Sequence, residues 1–129
     1  MKLEIELKRE VLEDVFVTAL EGGSNYWYYI SEDTYKKIRK AVSKADEPYL
    51  AIAMLKAVLD HGVEVTIHDA ENEEDEVGWI SMETMQERLQ DLLNSDNRWA
   101  LESHMLEEGD SVSADIVFQY IVIGEAIYG

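Results

Sequence analysis

Apolar and polar positions alternate at the start of the chain, where Leu3, Ile5 and Leu7 fall between Lys2, Glu4, Glu6 and Lys8. A side-chain period of two belongs to a strand with one buried face, so residues 2–8 are predicted as the first strand. From Glu10 the period changes. Val11, Leu12, Val15, Phe16, Ala19 and Leu20 recur at the spacing of one helical stripe, and the helix they predict ends at Gly22. Ser31 before Glu32 and Asp33 is an N-cap followed by two acids in a first turn. It predicts a helix over 32–44 with Tyr35, Ile38, Ala41 and Val42 as its apolar stripe.

Asp46 is positioned to cap a third helix, with Pro48 tolerated in its first turn and Gly62 as its stop. Tyr49 to Leu59 is apolar on nearly every side, the pattern of a helix through the core. Val63, Val65 and Ile67 alternate with Glu64, Thr66 and His68 as a strand, and Val77-Gly78-Trp79-Ile80 reads as its hairpin partner. The acidic run 70–76 between them is a solvated loop. Ser81 caps a helix with Met85, Leu89, Leu92 and Leu93 on one side, ending near Asn94 to Asn97. A further helical segment runs from Arg98 to Glu108, stopped by Gly109 and packed through Trp99, Met105 and Leu106.

The stretch 113–124 carries two opposed signals. Ile116-Val117-Phe118-Gln119-Tyr120-Ile121-Val122-Ile123 is β-branched like a buried strand, whereas Ser113 and Asp115 suit a helix start. Propensity alone favours a strand. No repeat or linker divides the chain, and strands and helices do not alternate regularly. The expectation is therefore one α+β domain over residues 1–129, with a small antiparallel sheet of about three strands packed against five or six helices.

Composition narrows the setting. A chain of 129 residues without cysteine has neither disulfides nor thiolate metal sites, and it can bury a core without staples. The start lacks the apolar run of a signal peptide, and no stretch has the length of a membrane span, so a cytoplasmic protein without membrane contact is expected. Eleven Lys and Arg against 28 Asp and Glu give a net charge of −17, which disfavours direct nucleic-acid binding. The charge is uneven: residues 1–50 hold 8 basic and 10 acidic side chains, residues 51–129 hold 3 and 18.

Candidate chemistry concentrates at Gly22-Gly23-Ser24-Asn25-Tyr26-Trp27-Tyr28-Tyr29-Ile30. Paired glycines turn the backbone and allow close approach, Ser24 and Asn25 donate and accept, and the aromatics offer flat faces with polar tips. That mixture fits a base, a sugar or a small aromatic ligand, although a helix end followed by core aromatics uses the same residues. There is no phosphate-binding loop, nucleophile elbow or cofactor fingerprint, so no cofactor is expected. His61, His68 and His104 lack metal-ligand spacing, and no metal is expected. In the tail, a helical 113–124 would put Asp115 and Gln119 on one face, four residues apart.

Ala19-Leu20-Glu21-Gly22-Gly23-Ser24-Asn25-Tyr26-Trp27 together with Ala114-Asp115, Gln119, Gly124-Glu125 and Tyr128-Gly129 resembles a family of small, largely uncharacterised proteins encoded by bacteriophages and prophages. The two motifs cover about 20 residues, and the chain between them shows no such likeness. The resemblance implies a helical tail motif, a cytoplasmic setting in the host cell, and a common site where the motifs meet. The residues it singles out are Ser24, Asn25, Tyr26, Trp27, Asp115, Gln119 and Glu125. The expected function is a binding protein, not an enzyme, that sequesters a small polar, nucleotide-like ligand, with host defence as the expected context. Two other readings stand beside it: an acidic mimic of DNA directed at a host defence or nucleic-acid-binding protein, and an enzyme using Asp115 or Glu125 as acid and base. The abundance of aromatics, Trp27, Tyr28, Tyr29, Trp79 and Trp99, further predicts a homodimer paired through the nearly neutral N-terminal half.

Overall fold

The computed structural model describes residues 7–129. The strand predicted over 2–8 therefore lies outside the described residues except for Leu7 and Lys8, which have no regular structure. The order of elements is α1 (Arg9–Thr18), a π-helical turn (Ala19–Gly23), β1 (Tyr28–Tyr29), α2 (Glu32–Ala41), α3 (Leu50–His61), β2 (Val65–Asp69), β3 (Glu76–Ile80), α4 (Met82–Leu93), α5 (Arg98–Met105) and α6 (Ser111–Ile123). Six α-helices and a three-stranded antiparallel sheet in the order β1-β2-β3 make the α+β domain that the pattern predicts. The third strand is Tyr28–Tyr29, read from the sequence as part of a site, and it pairs with Asp69 and His68.

The molecule is assembled around α6, which packs against α1, α4, α5, the π-helical turn and β3. Ala114, Val117, Phe118, Ile121 and Val122 of α6 are fully buried. Burial of nearly every residue from Ser113 to Val122 removes the periodicity that would have announced a helix. Strand propensity is overruled by an N-cap earlier than predicted. The Asp110 carboxylate accepts the Ser113 N–H at 2.9 Å, and the Ser113 hydroxyl accepts the Asp110 N–H at 2.8 Å. This reciprocal pair satisfies two donors at the helix start, and tertiary packing stabilises the rest. Two glycines let neighbours reach the α6 backbone: a Cβ on Gly23 would lie 2.5 Å from the Ser111 carbonyl oxygen, and one on Gly78 would collide with the Val122 carbonyl.

Other boundaries shift for identifiable reasons. The first helix changes to π geometry after Thr18, so its end at Gly23 includes one wide turn closed by Ser24 N–H to Ala19 O at 2.8 Å. The helix predicted to end at 44 stops at Ala41, where Val42 is extended. Asp46 does not cap α3. The N-cap is Tyr49, and Pro48 precedes the helix because the Glu47 and Pro48 carbonyls are taken by the Arg39 guanidinium at 2.6 and 3.0 Å. In α5 the buried residues are Ala100, Leu101 and His104, whereas Trp99 is 46% and Leu106 69% exposed. The helix ends at Met105, before Glu107 takes the left-handed region at φ 61°. Among the described residues no helix is long and apolar enough to cross a membrane.

Candidate functional site

Both sequence motifs meet at Asp115. The π-helical turn swings the chain so that Ser24 and Trp27 point inward, and the Trp27 and Tyr28 N–H groups both return to the Ser24 carbonyl. Asp115 lies in the first half of α6, 8% exposed. Its Oδ1 accepts from the Ser24 hydroxyl at 2.8 Å and from the Trp27 indole Nε1–H at 2.7 Å. Its Oδ2 accepts from the Tyr26 hydroxyl at 2.5 Å and from Gln119 Nε2 at 3.2 Å. Four donors from two distant segments thus compensate the desolvation of one carboxylate.

Gln119 lies one helical turn beyond Asp115 and is fully buried. Its Oε1 accepts the Ile127 and Tyr128 N–H groups at 2.8 and 2.9 Å, and its Nε2 also donates to the Tyr128 carbonyl at 3.3 Å. The carboxamide therefore holds the tail as a neighbouring strand would. This places the Tyr128 ring on the Trp27 indole, stacked at 5.1 Å with 8° between planes.

The structure brings together five of the seven predicted site residues, Ser24, Tyr26, Trp27, Asp115 and Gln119, and leaves two apart. Asn25 and Glu125 are exposed, and no side-chain hydrogen bond ties either to the cluster. The roles within the group also differ from those expected. Trp27 is 2% exposed and packs against Phe118 and Tyr128, so it is core and offers no face to a ligand. With Trp27 inside, one of the aromatics thought to require a second copy is already covered.

What remains accessible is Tyr26, half exposed, with its hydroxyl anchored on Asp115. Burial of the hydroxyl, then its donation to the Asp115 carboxylate and the nearness of that charge, push the Tyr26 phenol up to about 12. Tyr26 borders an open depression of about 680 Å³ that is also lined by Gly22, Gly23, Val112, Asp115 and Gly129. No Lys or Arg lines it.

A second polar constellation went unread in the sequence. His104 Nδ1 lies 2.7 Å from the Asp14 carboxylate, and Nε2 lies 3.0 Å from the Ser113 hydroxyl. A carboxylate only accepts, so Nδ1 carries a proton towards Asp14, while Nε2 meets the Ser113 hydroxyl on the other side of the ring. The spacing is that of a nucleophilic relay, but Ser113 is 1% exposed and its oxygen is also surrounded by the Asp110 N–H, carbonyl and carboxylate. No substrate atom has an approach to it, and the three residues instead bind α1, α5 and α6 together. The signal that would have found them is a histidine three residues after Leu101 on the buried stripe, since such a ring needs polar partners. Among the described residues no group of three or more His, Asp or Glu is placed to hold a metal ion. No protein-family model, curated protein or solved structure matches the chain.

Proposed function

We propose that this is a phage-type binding protein of the host cytoplasm, non-enzymatic, that sequesters a small planar polar molecule of nucleoside type in the depression beside Tyr26. The observation that carries the reading is the exposed Tyr26 ring, fixed at its hydroxyl by Asp115 and flanked by glycines and Val112. A fixed ring loses little entropy on stacking, and glycines leave a flat ligand room to approach. The absence of cations in the lining favours the base and sugar over a phosphate, which would have to point into solvent against a net charge of −17. Asp115 supports a binding role over acid and base catalysis, because its two oxygens already accept four hydrogen bonds that fix it in place.

Thermal-shift and equilibrium-dialysis measurements with the common nucleosides and their monophosphates test the reading. At least one nucleoside is expected to bind more tightly than its monophosphate, and Tyr26→Ala to weaken it by about tenfold, as expected for loss of a base-stacking ring. No binding by any of them, or unchanged binding by a folded Tyr26→Ala protein, would end it.

A further inference from the structure

The outer face of the β2–β3 hairpin carries a groove with an unmet charge. Alternation sends Val65, Ile67 and Ile80 inward, where they are fully buried, and leaves Glu64, Thr66 and Trp79 on the other face, Thr66 directly opposite Trp79. Between Ile67 and His68 the register slips, because Ile67 pairs with Gly78 and His68 with Glu76, so Val77 is an extra residue. The bulge brings Glu76 into the same groove, a cavity of about 200 Å³ lined by Glu64, Thr66, Glu76, Val77, Gly78 and Trp79.

Trp79 is 42% exposed, and the Arg88 guanidinium sits over its ring at 4.7 Å from the centroid, so this indole already accepts a cation. Arg88 does not serve the groove's carboxylates. It donates to the Trp79, Ile121 and Val122 carbonyls at 2.6, 2.8 and 2.7 Å. The two other basic residues after position 50 are engaged as well, Lys56 with Glu47 and Arg98 with Glu102. Glu64 and Glu76 are exposed, and neither carboxylate makes a hydrogen bond or ion pair among the described residues. The acidic turn that joins the two strands extends the same sign of charge along the hairpin.

We propose that this groove docks a lysine or arginine side chain from a basic segment of a partner protein, with the cation against the Trp79 ring between Glu64 and Glu76. An exposed indole beside two unpaired carboxylates is complementary to a long alkyl stem with a charged head. A chain of −17 steers such a segment inward and repels nucleic acid and anionic membrane.

The test is titration of the full chain with a capped peptide of alternating lysine and glycine, followed by the three tryptophan indole resonances in NMR. Saturable movement of the Trp79 indole is expected, with little movement of Trp27 and Trp99 and with affinity falling as salt rises. Trp79→Ala should weaken binding about tenfold. Glu64→Gln with Glu76→Gln should weaken it about fivefold, whereas Asp91→Asn with Asp96→Asn, an equal charge change at the far end of α4, should weaken it less than about twofold. Equal losses in the two double variants, unchanged affinity on loss of the indole, or the absence of saturable binding at low salt would each overturn the proposal.

Discussion

Trp27 and Asp115 stand 88 residues apart, yet the indole N–H of the first donates to the carboxylate of the second at 2.7 Å inside the core. This bond joins the segment after α1 to the helix at the centre of the molecule, and Asp115→Asn tests it. An amide in place of the carboxylate turns an NH₂ towards Gln119, whose own NH₂ is held in place by the tail. Loss of the charged acceptor and one mismatched donor should cost about 2–3 kcal/mol in urea unfolding. A variant as stable as the parent would show that the cluster does not hold the fold together.

Gln119 should be measurable through the tail it holds. Gln119→Leu keeps the volume but removes the acceptor for the Ile127 and Tyr128 N–H groups. Hydrogen exchange at those two amides is expected to accelerate by more than about tenfold, consistent with the loss of a bond contributing about 1 kcal/mol or more. Protection elsewhere in α6 should persist, because its apolar packing is unaltered.

The Ser113 hydroxyl is predicted to be structural. Ser113→Ala removes both the acceptor for the Asp110 N–H and the partner of His104, so a loss of about 1–2 kcal/mol is expected, as when a buried polar group is left without its partner. A fluorophosphonate probe should leave Ser113 unlabelled. Covalent labelling at that position would mean that the oxygen is reachable and that the tie is a reactive centre.

Tyr26 sets a limit at high pH. Its phenol is raised in the folded protein from 10.0 to about 12, chiefly by burial and then by Asp115, so the folded state keeps a proton that the unfolded chain releases. The stability from this group is complete below pH 10 and is lost as pH rises towards 12. Tyr28 and Tyr128 are raised as well, which adds to the trend in the same direction. Unfolding followed by urea at a series of alkaline pH values should show stability falling across that window, with a shallower fall in Tyr26→Phe. The same slope in both proteins would remove Tyr26 as its source.

Much of the fold was legible because it obeys local rules. Ser31 and Ser81 each accept the N–H three residues on, as their positions at the starts of two helical stripes predict. The β2–β3 hairpin follows directly from alternation around Val65 and Ile67. Gly62 ends α3 in the left-handed region at φ 64°. Five of the seven residues that the two motifs single out gather at Asp115, whereas Asn25 and Glu125 stay at the surface.

What the sequence left open was decided by burial. From Ser113 to Val122 α6 is buried around most of its girth, so its apolar residues follow no period, and strand propensity pointed the wrong way until packing and the Asp110–Ser113 cap prevailed. The same cause turned Trp27 from a ligand-stacking ring into a core residue, because depth in a folded chain depends on which distant segments arrive above it. Trp99 and Leu106 went the other way, to the surface, when α5 settled on Ala100, Leu101 and His104. The Asp14–His104–Ser113 tie joins three helices through side chains whose spacing in sequence carries no regularity. Contacts of that kind are set by the three-dimensional path of the backbone, whereas caps, alternation and helical stripes are set within a few residues, and only the latter can be read along the chain.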